Sequence, residues 1–417
     1  MSDRLSEIAR EHFERGQDAF ARGEYRDAIE AFTKAISFRP DVAAAFCARA
    51  AAFRALHDRP SVIRDLSEAI RILPADAQVR AERAQEHYLQ KNYAAAIEDC
   101  EAAMQLDPGR ADVYGLRAAC HGRSGNTPMA MLDYEVALRC DPDRAHLYHV
   151  GRARLHHDLE NWPAVIDDCT RAIEANADHL PAYELRGMAH HHHRQFPESE
   201  RDFRHTLDND ATNLGGLMGL ALSLFEQKRW AECLEVADEL ILHHPQLTNG
   251  YELHGMCREN LGQWEEAIAD FTTAIELNPG NPLVYHFRAG VRLKQGEWKK
   301  AVADHLTAFH KDPDFPESMN YLAWIWACCP DETVRNGARA LEFGLRSCEK
   351  TDFAKASYLD TLAACHAELG QWDQAVACSE KAVALETGES ELNEYRHRLD
   401  KFRRHEVHRL MPKERPA

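Results

Sequence analysis

The chain has 417 residues, and 50 Lys and Arg against 68 Asp and Glu leave a formal charge of −18 with neutral histidines. That excess of carboxylates repels phosphate backbones, which excludes general nucleic-acid binding in the absence of a segregated basic stripe. With 45% hydrophobic residues wholesale disorder is excluded, and 12 Cys are too few for a disulfide scaffold.

The opening Met1-Ser2-Asp3-Arg4-Leu5-Ser6-Glu7-Ile8 has no apolar signal region, and no later apolar run is long enough to span a bilayer. A reducing, cytoplasmic location with no membrane span is therefore expected. Length alone suggests two or three domains, yet no linker is visible. From residue 9 onward the prolines explain why. Pro40, Pro74, Pro108 and Pro142 are 34 residues apart, and Pro245, Pro279 and Pro313 resume that spacing. A period of this size marks stacked repeats. Each proline follows an Ala-rich amphipathic stretch, where it ends a helix and starts a turn.

With each proline placed at position 32 of its repeat, other columns align. Position 8 is small throughout: Gly16, Ala50, Ala84, Ala118, Ala153, Gly187, Ala221, Gly255, Ala289, Ala323 and Ala363. Position 17 is mostly aromatic, as in Tyr25, Tyr93, Trp162, Trp264 and Trp372, and position 24 often carries a larger apolar residue such as Phe32, Leu66 or Phe271. Small residues let two antiparallel helices approach closely while larger ones fill the gaps between pairs. Gly23, Gly125, Gly262, Gly296 and Gly370 fall at first-helix ends, where a left-handed cap suits glycine.

Tyr25-Arg26-Asp27-Ala28-Ile29, Trp264-Glu265-Glu266-Ala267-Ile268 and Trp372-Asp373-Gln374-Ala375-Val376 resemble the tetratricopeptide repeat (TPR). The resemblance implies an all-α fold, a right-handed superhelix or α-solenoid of about eleven helix-turn-helix repeats with a C-terminal capping helix. The expected organisation is a lead-in over 1–8 and an array over 9–389. Its units fall at about 9–42, 43–76, 77–110, 111–145, 146–179, 180–213, 214–247, 248–281, 282–315, 316–355 and 356–389, followed by a capping helix and tail over 390–417. Units five to seven are degenerate, with Val165, Ser199 and Cys233 where the family prefers alanine. The tenth is stretched around Cys329-Pro330-Asp331 and, with Asn320-Tyr321-Leu322-Ala323-Trp324 and Tyr395-Arg396-His397-Arg398-Leu399, is similar to the C-terminal module of many bacterial TPR proteins, notably planctomycete ones.

Catalytic signatures are near misses. Neither G-x-x-x-x-G-K-[S/T] nor G-x-S-x-G occurs, and a kinase catalytic loop is absent. His405-Glu406-Val407-His408 is one residue short of a zinc-protease motif and is read as lying in an exposed tail. No enzymatic activity, cofactor or bound metal is expected. The run His190-His191-His192-His193, with His156 and His157 one repeat earlier, raises the alternative of a metal- or pH-responsive regulatory module, although successive helical residues point about 100° apart. Cys100, Cys169 and Cys233 read as packing residues. The last stretch places Leu392, Tyr395, Leu399 and Phe402 on one face and Arg396, Arg398, Lys401, Arg403 and Arg404 on the other, which suits a cap with a polar exterior.

By the same resemblance, positions 2, 5, 9, 12 and 13 of each repeat face a concave groove. In the central repeats these positions include Tyr88, Arg123, Arg154, His157, Met188, His191, Met218, Phe225, Glu252 and Met256. Aromatic, soft and cationic side chains not needed for packing suit a bound peptide or helix. Two familiar groove chemistries find no match. The carboxylate clamp of heat-shock co-chaperones needs Lys and Asn where Phe13 and Gln17 stand, and the asparagine ladder of sugar-transferring relatives needs Asn in a column that holds Glu14, Ala48, Glu82, Leu116 and Gly151. The expected function is a non-enzymatic scaffold binding a protein or peptide partner in that groove, with no nucleic acid.

Overall fold

A computed structural model describes residues 2–411; Met1 and residues 412–417, and with them the ends of the expected lead-in and tail, lie outside the described residues. Among those described there are 23 α-helices and no strand, so the fold is all-α, and the chain is a solenoid of helix pairs. It divides into two compact units at residues 205 and 206.

In the first unit the pairs are α1 (Ser2–Ala21) with α2 (Tyr25–Phe38), α3 (Ala43–Ala55) with α4 (Arg59–Ile72), and α5 (Ala77–Leu89) with α6 (Tyr93–Leu106). They continue with α7 (Ala111–Arg123) and α8 (Thr127–Cys140), α9 (Ala145–Asp158) and α10 (Trp162–Ala175), and α11 (Leu180–His192) followed by α12 (Phe196–Asn209), within which the division falls. The second unit holds α13 (Leu214–Glu226), α14 (Trp230–His243), α15 (Thr248–Asn260), α16 (Trp264–Leu277), α17 (Pro282–Lys294) and α18 (Trp298–Lys311). It closes with α19 (Pro316–Cys328), α20 (Gly337–Glu349), α21 (Ala356–Glu368), α22 (Trp372–Leu385) and α23 (Glu389–Arg403).

Local chemistry sets these boundaries. Second helices start after capping residues such as Asp58, whose side chain accepts from the Ser61 N–H, and Asn92, which accepts from Ala95. Asp76 does the same for a first helix, accepting from Gln78 and Val79. Nearly every first helix ends in a residue with positive φ: Gly23, His57, Lys91, Gly125, Glu160, Arg194, Lys228, Gly262, Gly296 and Gly370. This left-handed residue sits fifteenth in each repeat and reverses the chain into the second helix. The tenth repeat has Pro330 there instead, and a loop of residues 329–336 replaces the tight turn.

The small column at position 8 exists because the side chain at position 24 packs over it. A Cβ on Gly16 would lie 2.5 Å from the Phe32 ring, one on Gly187 3.0 Å from Phe203, and one on Gly255 2.8 Å from Phe271. Where position 24 is the smaller Leu66 or Cys100, alanine fits opposite it. The cysteines serve this packing. Burial pushes the Cys100 and Cys169 thiols well up, and the buried Cys233 thiol donates to the Ala221 carbonyl at 3.2 Å. Such thiols are not poised as nucleophiles.

A ladder of buried ion pairs binds the helices further. Arg49 and Asp65, Arg83 and Asp99, Arg117 and Asp133, and Arg186 and Asp202 each close an Nη2–Oδ1 contact of 2.7 Å between the first and second helix of one repeat. Arg152 reaches Asp168 at 2.5 Å, and in the second unit Arg288 meets Asp304 at 2.7 Å. Most of these arginines also reach back one repeat: Arg49 Nη1 donates to Thr33, Arg83 to Ser67, Arg186 to Thr170 and Arg288 to Thr272. Burial pushes the Asp168 carboxyl up, but hydrogen bonds from His149 and Arg152 more than offset it and hold the group below the usual range.

Two expectations about the C-terminal region are corrected. Arg398 does not belong to an exposed basic face: it is buried, with Nε 2.9 Å from an Asp360 oxygen and its guanidinium over the Trp324 ring. The stretch holding His405-Glu406-Val407-His408 is an exposed tail only in its first half, His405 and Glu406. Val407 to Leu410 are half-buried against α19 and α21, because the loop of the tenth repeat leaves helix-terminal carbonyls that the tail satisfies.

Candidate functional site

In the first unit, successive first helices touch one another, α5 with α7, α7 with α9 and α9 with α11, and so present one continuous face. Tyr88 is at the end of α5, Arg123 ends α7, Arg154 and His157 lie in the second half of α9, and Met188 and His191 in that of α11. Three of these meet. Tyr88, Arg123 and Arg154 line an open pocket of about 90 Å³, together with Tyr134, Gly151 and Asp158.

The pocket exists because its floor lacks side chains. A Cβ on Gly151 would come within 2.7 Å of the Tyr134 ring, and one on Gly122 within 3.1 Å of Leu155. Ala118 and Ala119 complete the floor. Tyr134 comes from α8 and reaches under the next repeat, and burial pushes its phenol up to about 12, so it stays a neutral hydrogen-bonding group. Arg123 and Asp158, both more than half exposed, are 3.8 Å apart, whereas Arg154 is exposed and makes no ion pair among the described residues. Two guanidiniums against one carboxylate leave the pocket cationic. It can hold a carboxylate or a backbone carbonyl, and Tyr88 offers a ring to an apolar side chain.

The remaining first-unit residues form an aromatic run beside it. His157 meets Trp162 edge-on at 5.3 Å, Trp162 stacks on His192 at 4.4 Å, and His191 meets Phe196 at 5.5 Å. Residues at position 12 repeatedly lean on the ring at position 17, as Tyr88 does on Tyr93 at 5.9 Å. Met188 stays exposed. The four other expected residues lie in the second unit. Phe225 packs on Trp230 at 4.8 Å, Met256 against the cluster of Trp264 and Phe271, and Met218 is half-buried. Glu252 accepts from Asn281 at 3.1 Å, and burial raises its carboxyl. Phe225 and Met256 are thus engaged in packing.

The histidine run does not converge. His190 bonds Gln195 at 2.7 Å while His191 and His192 turn to aromatic rings, and among the described residues no three His, Cys, Asp or Glu are placed to hold a metal ion. Burial holds His87, His156 and His179 below the ordinary imidazole range, so the histidines do not titrate as one set. Sequence reasoning missed Tyr134 and Gly151. Their signal was a glycine one repeat after a tyrosine in the large column, where the ring needs the space of a missing Cβ.

The family model for the tetratricopeptide repeat matches residues 9–42 and 255–281. No curated protein matches the chain. Among solved structures, the chain is similar to yeast Tom70, at 13% identity over 95% of this chain and 96% of that one, with a TM-score of 0.46. It is also similar to a tetratricopeptide repeat protein from Parabacteroides merdae, at 20% identity over 57% of this chain and 93% of that one, with a TM-score of 0.45. A third is YrrB, a TPR protein with an unusual peptide-binding site, at 18% identity over 45% of this chain and 96% of that one, with a TM-score of 0.39.

Proposed function

We propose that the chain, with its tetratricopeptide repeats, is a protein-interaction scaffold that binds an acidic peptide segment of a partner on the first-helix face of its first unit. The observation that carries this reading is the pocket of Tyr88, Arg123 and Arg154, where two guanidiniums face one carboxylate over a floor opened by Gly122 and Gly151. A carboxylate entering there would take charge-assisted bonds from Arg154 and Arg123 and displace Asp158 from its weak contact. The exposed Met188 and the ring of His191 would take apolar side chains farther along. Binding is the proposed work of the molecule, and it requires no catalytic group.

Selection of a random displayed peptide library on the full chain tests this. Enriched peptides should carry Asp or Glu, and Arg154→Glu with Arg123→Glu should abolish their binding while leaving the helical content unchanged. Enrichment of basic or purely apolar peptides, or retention on the charge-reversed protein, would overturn it. No helix among the described residues is long and apolar enough to cross a membrane.

A further inference from the structure

In the second unit the chain leaves α23 through Arg404 and His405, the latter with φ of 60°, and runs back without helix across the C-terminal ends of α19 and α21. Its contacts are those of a bound peptide. The Leu410 N–H donates to the Cys328 carbonyl at 2.8 Å, as a backbone strand of a ligand would. Arg409 Nη1 donates to the Ala327 carbonyl at 3.1 Å and pairs with a Glu368 oxygen at 2.7 Å. The Leu410 side chain packs on the buried cluster that contains Met319, Trp326 and Ala364. His408 lies over Trp324 at 5.4 Å, and His405 stacks on Trp372 at 5.1 Å.

The receiving surface is specific to these repeats. Other first helices end in a left-handed residue, whereas α19 ends before Cys329 and Pro330, so the Ala327 and Cys328 carbonyls are open to an outside donor. Glu368, the last residue of α21, is half-buried between Arg335 at 3.2 Å and Arg409. Trp324, Ala327, Cys328 and Glu368 stand at positions 9, 12, 13 and 13 of their repeats, the same columns as Arg154, Tyr88 and Arg123 in the first unit.

We propose that the rim formed by α19 and α21 is a recognition site for an extended segment carrying an arginine followed by a leucine, and that the chain's own residues 404–411 occupy it in cis and keep it closed to a partner segment of the same kind. Backbone pairing to the α19 carbonyls supplies affinity, and the Glu368 carboxylate and the apolar seat of Leu410 supply selectivity. A tethered segment acts at an effective concentration on the order of millimolar, so a free peptide at micromolar levels does not compete with it. The site belongs to the second unit and shares no residue with the pocket of Tyr88, Arg123 and Arg154, so neither test bears on the other.

The test uses the full chain and a fluorescein-labelled peptide of residues 404–411. Wild-type protein should not bind it at micromolar concentration. The variant Arg409→Ala with Leu410→Ala, which frees the tail, should bind at least about tenfold more tightly, and adding Glu368→Gln should remove most of that gain. Equal binding to wild type and to a variant whose position-410 amide exchanges freely would overturn the proposal. If that variant does not fold, the unlabelled peptide added to wild type at millimolar concentration should speed exchange of the Leu410 amide, and unchanged exchange would equally overturn it.

Discussion

Ten first-helix ends adopt positive φ, yet only five of these residues are glycine; His57, Lys91, Glu160, Arg194 and Lys228 hold the same conformation with a side chain. A Cβ in the left-handed region costs about 1–2 kcal/mol, and glycine's added chain entropy takes back about 0.5–1. Lys91→Gly should therefore raise stability by about 0.5 kcal/mol, while Gly125→Ala, at φ of 79°, should lower it by about 1 kcal/mol. Urea midpoints of the two variants check both signs, and a stabilising Gly125→Ala would show that the turn geometry differs. The glycines were readable as caps, but the other five were not, because the fold imposes the turn on whatever residue stands fifteenth.

At the scale of the helix pair, the Arg–Asp ladder decides how tightly each repeat closes. Asp99 is buried opposite Arg83, and removing it leaves a partly buried guanidinium without its carboxylate. Asp99→Ala should destabilise the chain by about 3 kcal/mol. Replacing both partners by apolar residues should recover most of that loss, since buried ion pairs often give way to hydrophobic pairs at little net cost. The chain already contains that exchange: Leu220 and Val236 stand in the seventh repeat at the positions of Arg83 and Asp99. Denaturation of Asp99→Ala beside Arg83→Leu with Asp99→Val measures the difference, and an equally unstable double variant would contradict the account. The ladder was present in the sequence as two columns sixteen residues apart. It was not legible as a ladder because helical periodicity within one element cannot reveal which residues of two antiparallel helices face each other. For the same reason Arg398 read as part of a basic exterior, although Asp360 across the interface draws it inside.

Over the whole molecule, the thirty-four-residue ruler made the fold legible, because small residues recur in every repeat and proline turns and large rings recur at fixed places in most of them. What it left hidden were features made between elements: the pocket of Tyr134 and Gly151, the ladder, and the tail on α19 and α21. The high histidine count likewise suggested a collective response to acid, which the scattered environments of the rings break up. One ring stands out. His305 is fully buried, neither nitrogen has a hydrogen-bond partner, and burial followed by the nearby His286 holds it down to about 3. Its folded value lies below the ordinary 6.5, so the unfolded chain takes up the proton first. The stability tied to neutral His305 is fully present above pH 6.5 and is lost as pH falls from 6.5 toward 3. Between pH 6.5 and 5 that amounts to about 2 kcal/mol. His305→Phe should flatten this part of the urea-midpoint profile, and an unchanged acid slope in the variant would contradict the assignment.

The most direct measurement of the central claim is calorimetric titration of the full chain with an acidic peptide selected on it, repeated with Arg154→Glu and Arg123→Glu. Micromolar binding at one site is expected, weakening as salt rises and lost on charge reversal. Undiminished binding to the reversed protein, or affinity indifferent to salt, would place the partner elsewhere than on Tyr88, Arg123 and Arg154.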